Sequence, residues 1–157
     1  MTINNRNTII HFNINRFIII VCYVTLISIS VFTSIFELYL GQINKTIVVI
    51  AASILFLMYL AYYYILKYNY FNFSDNGSKL VFHYISLNLL NRKKNAVEIL
   101  KSNFNGYKLK KSFFGKKIEI ILYTKTKNGI AKYPPISISS LTKSQIQVLI
   151  SSLKNFA

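Results

Sequence analysis

Two stretches without a charged residue constrain this chain more than anything else in it. Phe17 to Phe36 (FIIIVCYVTLISISVFTSIF) and Ile47 to Leu66 (IVVIAASILFLMYLAYYYIL) hold only apolar and small polar or tyrosyl side chains. At a rise of ~1.5 Å per residue, either run makes a helix about 30 Å long, the thickness of a bilayer's hydrocarbon core. A cleaved secretory signal would have a shorter apolar region followed by small residues, and Phe36-Glu37-Leu38-Tyr39 offers no such site. Both runs are therefore expected to be retained transmembrane helices, 17–36 and 47–66, joined as a hairpin across 17–66.

Within that hairpin, Ser30 and Ser34 on the first helix and Ala51, Ala52 and Ser53 on the second are small enough for close helix contact. The same hydroxyls could instead bond back to carbonyls of their own helix. Cys22, the single cysteine, lies in the first run. An internal disulfide and a cysteine metal site are thereby excluded, and Cys22 is expected to be a buried apolar filler.

Charge orients the hairpin. Arg6 and Arg16 precede the first run, Lys67 follows the second, and the connection carries Lys45 beside Glu37. The positive-inside rule then places both termini in the cytoplasm, with 1–16 as a cytoplasmic N-terminal tail and the cell membrane, of bacterial inner-membrane type, as the location. Tyr62, Tyr63, Tyr64 and Tyr68 gather where the second run ends, and their amphipathic rings suit membrane-interface anchors.

From Lys67 onward the apolar period changes from helical to alternating. Lys79–Ile85 puts Leu80, Phe82 and Tyr84 on one face, and Lys116–Lys125 puts Ile118, Ile120 and Leu122 inward with Lys117, Glu119 and Tyr123 outward. Shorter strands are expected at Ala96–Lys101, Tyr107–Lys111 and Ile136–Ile138. Turn signals stand at Asp75-Asn76-Gly77, Asn105-Gly106, Phe114-Gly115 and Lys127-Asn128-Gly129. Thr142-Lys143-Ser144-Gln145 reads as a capping box, and Ile146, Leu149, Ile150 and Leu153 then form one stripe at helical spacing.

Two N-terminal membrane helices, a strand meander and a single terminal helix together resemble the bacterial pleckstrin-homology-like (PH-like) membrane proteins. The resemblance covers about Tyr68 to Phe156. Its most suggestive pieces are Gly129-Ile130-Ala131-Lys132-Tyr133 and Ile136-Ser137-Ile138-Ser139-Ser140-Leu141 leading into the helix. It implies a membrane α-helical hairpin plus a mainly-β cytoplasmic domain over 67–157, a PH-like open barrel or sandwich capped by one C-terminal amphipathic helix. In phosphoinositide-binding members, basic residues line the first hairpin. Here that hairpin is Ser74-Asp75-Asn76-Gly77-Ser78-Lys79, so phosphoinositide recognition does not carry over.

The inventory of reactive groups argues against an enzyme. Segment 67–157 holds Asp75, Glu98 and Glu119, each alone in its stretch, and one histidine, His83, with no partner near it in sequence. Neither a nucleophile elbow nor a phosphate-cradling glycine loop is present. No catalytic residue, metal site or cofactor is therefore expected.

What remains is charge. The same segment carries 16 of the 19 Lys and Arg against those three acids, leaving it +13 of the formal +15. An AT-rich coding sequence would enrich Lys but does not explain the scarcity of acids. Such an excess favours an anionic neighbour. Arg92, Lys93, Lys94, Lys108, Lys110, Lys111, Lys116 and Lys117 are the candidate anionic-surface residues, with a solubilising rim as the plainer reading. Three functions stay open: a scaffold or regulator binding membrane lipid or a protein, a membrane-tethered nucleic-acid binder, and an accessory subunit docking through the hairpin. No helix-turn-helix or RNA-binding motif supports the second.

Overall fold

The computed structural model describes residues 1–32, 45–87 and 94–156. They form two compact units, one of residues 1–9 with 64–156 and one of residues 10–63.

The second unit consists of most of two long helices, α1 (Arg6–Phe32) and α2 (Lys45–Leu66). Both are long and apolar enough to cross a membrane. α1 begins at Arg6 rather than Phe17, because no Gly or Pro interrupts the chain between these positions. Between the helices Tyr23 stacks on Phe56 at 4.2 Å, and its hydroxyl meets that of Ser53, one of the small residues expected there, at 3.0 Å; Ser30, another, is buried. The hydroxyls of Ser28, Ser30 and Ser53 bond back to Val24, Leu26 and Val49. Ser34, the other half of the expected small-residue face, lies outside the described residues. Cys22 is exposed on α1, not buried as expected: among the described residues none covers it.

The first unit is a two-sheet β domain. One sheet has the order β1-β2-β3-β4: β1 (Thr2–Asn4), β2 (Asn69–Ser74), β3 (Lys79–Ser86) and β4 (Lys94–Leu100). The other joins β5 (Phe104–Ser112), β6 (Lys117–Thr126) and β7 (Gly129–Lys132), with β8 (Ile136–Ser137) also on β6. A 3₁₀ turn at Lys101–Asn103 links the sheets, and α3 (Lys143–Lys154) follows. Every strand pair is antiparallel.

One apolar core serves both sheets and α3. Phe71, Phe73, Leu80, Phe82, Val97 and Ile99 meet Ile120, Leu122, Ile136 and Ile138, and Leu149 and Leu153 close it from the helix. Phe82 packs on Phe73 at 5.0 Å and Phe71 at 6.4 Å, and such ring pairs add ~0.5–1.5 kcal/mol each beyond burial. The capping box forms as spelled: Gln145 N donates to Thr142 Oγ1, and Thr142 N donates to Gln145 Oε1.

Three local expectations need correction. The segment expected as an N-terminal tail carries β1 and the start of α1; β1 pairs with β2, Ile3 opposite Phe73, and Ile3 enters the core. Asn105-Gly106 is not a turn but an irregularity inside β5, where the register shifts between Phe104 and Tyr107 and Gly106 takes φ +104°. A positive-φ glycine serves a bulge as readily as a turn. Glu119 points outward as expected yet is buried, because Ser137 of β8 pairs beside it and Lys117 closes over it. The strand expected at Ile136–Ile138 forms over Ile136–Ser137, which pairs with β6 directly after Pro134-Pro135.

Candidate functional site at the helix-bearing end of the β domain

The β domain is entered and left through α1 and α2, and a buried polar seam ties those two passages together. Asn5, 1% exposed, sits between β1 and α1. Its amide nitrogen donates to Asn69 O at 3.0 Å and Ser140 Oγ at 2.8 Å, and its Oδ1 accepts from Phe71 N at 2.8 Å. Asn69 Nδ2 donates to Ser137 O at 3.2 Å, while Ser140 Oγ donates to Asn69 O at 2.5 Å. Ser137 Oγ donates to Leu66 O at 3.3 Å, supplying a partner for one of the carbonyls that a helix C-terminus leaves open. Lys67 then turns the chain off α2 with φ +48°.

Strand register sorts the basic residues relative to this seam. Ser137 is opposite Glu119, so Lys117 lies two residues away, roughly 7 Å along β6, while Thr126 lies seven residues the other way. The β5–β6 hairpin tip, with Lys116 and Lys117, therefore belongs to the seam's end of the domain. Lys110 and Lys111 lead into that tip, opposite Glu119 and Ile118, and both are exposed. Lys94 opens β4 opposite Ile85, close to where Leu87 N donates to Tyr68 O. Lys108 is also exposed, farther up the outer face of β5, opposite Ile121. Five of the expected residues, Lys94, Lys110, Lys111, Lys116 and Lys117, thus share the end that bears Leu66. Arg92 and Lys93 lie outside the described residues.

The acids do little to neutralise this charge. Glu119 accepts from Lys117 at 3.0 Å and Glu98 from Lys79 at 2.8 Å. That hydrogen bond and the facing charge raise Lys79 and lower Glu98 from their ordinary values, at the opposite end of the strands. Asp75, also there, pairs with the Met1 amino group and accepts from Ser152 Oγ at 2.9 Å. Burial would raise its carboxyl, but hydrogen bonds from the amino terminus and Ser152, with the charges of that terminus and Lys101, outweigh burial and hold it low.

The expected tyrosine anchors gather around the end of α2. Tyr62 and Tyr63 are half-buried and stack edge to face at 6.3 Å; Tyr64 is exposed and Tyr68 half-buried. Among the described residues no three His, Cys, Asp or Glu side chains come together to hold a metal.

Sequence reasoning missed the seam and an aromatic tip. Asn5 and Ser140 carry no motif, and their pairing spans 135 positions. Phe113-Phe114 stands in the letters between Lys110-Lys111 and Lys116-Lys117, but Phe114-Gly115 signals only a turn there. Comparison with protein-family models, with curated proteins and with solved structures found no match.

Proposed function

We propose that this chain is a non-enzymatic integral membrane protein that holds a basic, PH-like β domain against the cytoplasmic face of the cell membrane. There it acts as a scaffold or regulator through contact with anionic headgroups. The observation that carries this reading is the pairing of β1, before the first apolar helix, with β2, after the second. If α1 and α2 cross a bilayer, that pairing requires both ends of the hairpin on one side, and the flanking Arg6, Arg16 and Lys67 favour the cytoplasm. Two sheets closed by a terminal helix support the PH-like part of the reading.

Headgroups are favoured over other anions because the basic residues cluster where the chain leaves α2. Charges within about a Debye length, ~8 Å at physiological salt, act on the surface, and each Lys or Arg contributes about 1 kcal/mol. A handful acting together on a tethered domain suffices to fix its orientation.

The test is lysine reactivity in the full-length chain in nanodiscs. In phosphatidylcholine with phosphatidylglycerol, Lys94, Lys110, Lys111, Lys116 and Lys117 should react more slowly with an amine reagent than in phosphatidylcholine alone. Lys79 and Lys127, at the opposite end, should react equally in both. Equal rates at both ends in both lipids would defeat the proposal.

A further inference from the structure

We infer that the β5–β6 hairpin tip is a membrane-inserting wedge, with Phe113 and Phe114 entering the headgroup layer of an anionic bilayer between two pairs of lysines. This rests on the function proposed above and adds to it a mode of contact that charge alone does not supply.

The tip is poorly explained by folding. Phe114 is fully exposed and Phe113 is 39% exposed, and neither ring belongs to the core cluster. Both take φ +53°, followed by Gly115 at φ +78°. Three consecutive left-handed residues suit glycine, asparagine or aspartate, and for a bulky aromatic this conformation is an outlier. Lys116 N donates to Phe113 O at 3.1 Å, a backbone bond that closes the turn. Nothing in that closure calls for two rings, which meet edge to face at 6.2 Å. The sequence spends unfavourable backbone geometry to display apolar surface.

The surroundings name the occupant. Lys110 and Lys111 precede the rings, and Lys116 and Lys117 follow them. Aromatic rings flanked by cations match an interface whose outer layer is anionic and whose next layer is apolar. Register places this tip at the end of the domain that bears Leu66, the last residue of α2. The last residue of a helix of membrane-crossing composition and the ring-bearing turn therefore lie at the same end of the domain.

The chain contains no tryptophan, so Phe114→Trp in the full-length protein gives one fluorophore at the tip. Nanodiscs would be made from phosphatidylcholine alone and from an equimolar mixture with phosphatidylglycerol, each with acyl chains brominated at graded depths. The expected result is blue-shifted emission and quenching by shallow bromines in the anionic bilayer, reduced in the neutral one. A water-like, unquenched emission in both bilayers overturns the inference, as does quenching independent of lipid charge. Protected lysines with an unquenched tryptophan would leave the proposed function standing by charge alone; failure of both measurements would remove both. Phe113→Asn with Phe114→Gly guards against a folding artefact. It should raise thermal stability in detergent yet speed the reaction of Lys110, Lys111 and Lys117 in anionic nanodiscs. A loss of stability instead would assign the rings a structural role and overturn the inference.

Discussion

The carboxamide of Asn5 hydrogen-bonds the hydroxyl of Ser140 at 2.8 Å, joining the residue before α1 to the turn before α3. The same side chain satisfies Phe71 N and Asn69 O. Replacing it with alanine takes the acceptor from Phe71 N, a buried donor, at about 1–3 kcal/mol, and leaves Asn69 O with the Ser140 hydroxyl alone of its two side-chain donors. Asn5→Ala should therefore lower the thermal midpoint of the full-length chain in detergent, followed by circular dichroism, well beyond the effect of Asn7→Ala on the exposed start of α1. Equal midpoints for the two variants would show that the seam is not what holds β1.

Leu149 and Leu153 are fully buried in the shared core, whereas Val148 on the same helix is 42% exposed. Leu149→Ala should cost ~2–5 kcal/mol by removing buried carbons and leaving a cavity. Val148→Ala should stay within about 0.5 kcal/mol, as surface changes usually do. Denaturant midpoints of the two variants check this; similar losses would mean that α3 does not cap the core.

Asp75 gives acid stability a sign. Its carboxyl is held below the ordinary value, so its contribution is present above the unfolded value, ~3.9, and is lost as pH falls through the folded one. Asp75→Asn should destabilise the chain at neutral pH. The gap to the unsubstituted chain should close on acidification below about pH 4. A gap that does not change with pH would exclude the ion pair with the amino terminus as its source.

Lys67 leaves α2 in the left-handed region, which costs a residue with a Cβ roughly 1–2 kcal/mol relative to glycine. Lys67→Gly should stabilise the protein by less than that, since glycine also loosens the unfolded chain by about 0.4–1 kcal/mol, while Lys67→Ala, which keeps the strain, should not. Thermal midpoints in detergent separate the two. Equal effects would trace the change to the lost charge rather than to backbone geometry.

Orientation is checked by cysteine accessibility in a Cys22→Ser background. A cysteine at Gln42 should react with an impermeant maleimide added to intact cells, and one at Ser151 should not. Ser151 is exposed, whereas Ser152 is buried against Asp75 and would be hidden from reagent on either side. Labelling at 151 and not at 42 would invert the topology.

Much of the architecture was legible because it is periodic. The apolar runs, the alternation through Leu80, Phe82 and Tyr84, and the Thr142–Gln145 box each fit inside a short window whose pattern names the element. β1 was not legible, since three residues carry no periodicity and its partner lies beyond both long helices. Asn105-Gly106 misled because a turn and a bulge require the same glycine conformation. For the candidate site, the basic letters were plain. Their sorting into two ends of the domain depends on the register of Ser137 against Glu119, a contact that no local window contains.

The late arrival of β1's partner has a consequence for biogenesis. Thr2–Asn4 is synthesised first, but β2 does not exist until both long helices have been made. In a bilayer, a molecule with one helix left out or reversed would strand β1 on the wrong side. The outer edge of β2 and the apolar face around Phe73 would then lie open, the kind of edge that invites aggregation and proteolysis. If both helices cross a bilayer, the first sheet would be completed only on chains whose hairpin has its two ends on one side.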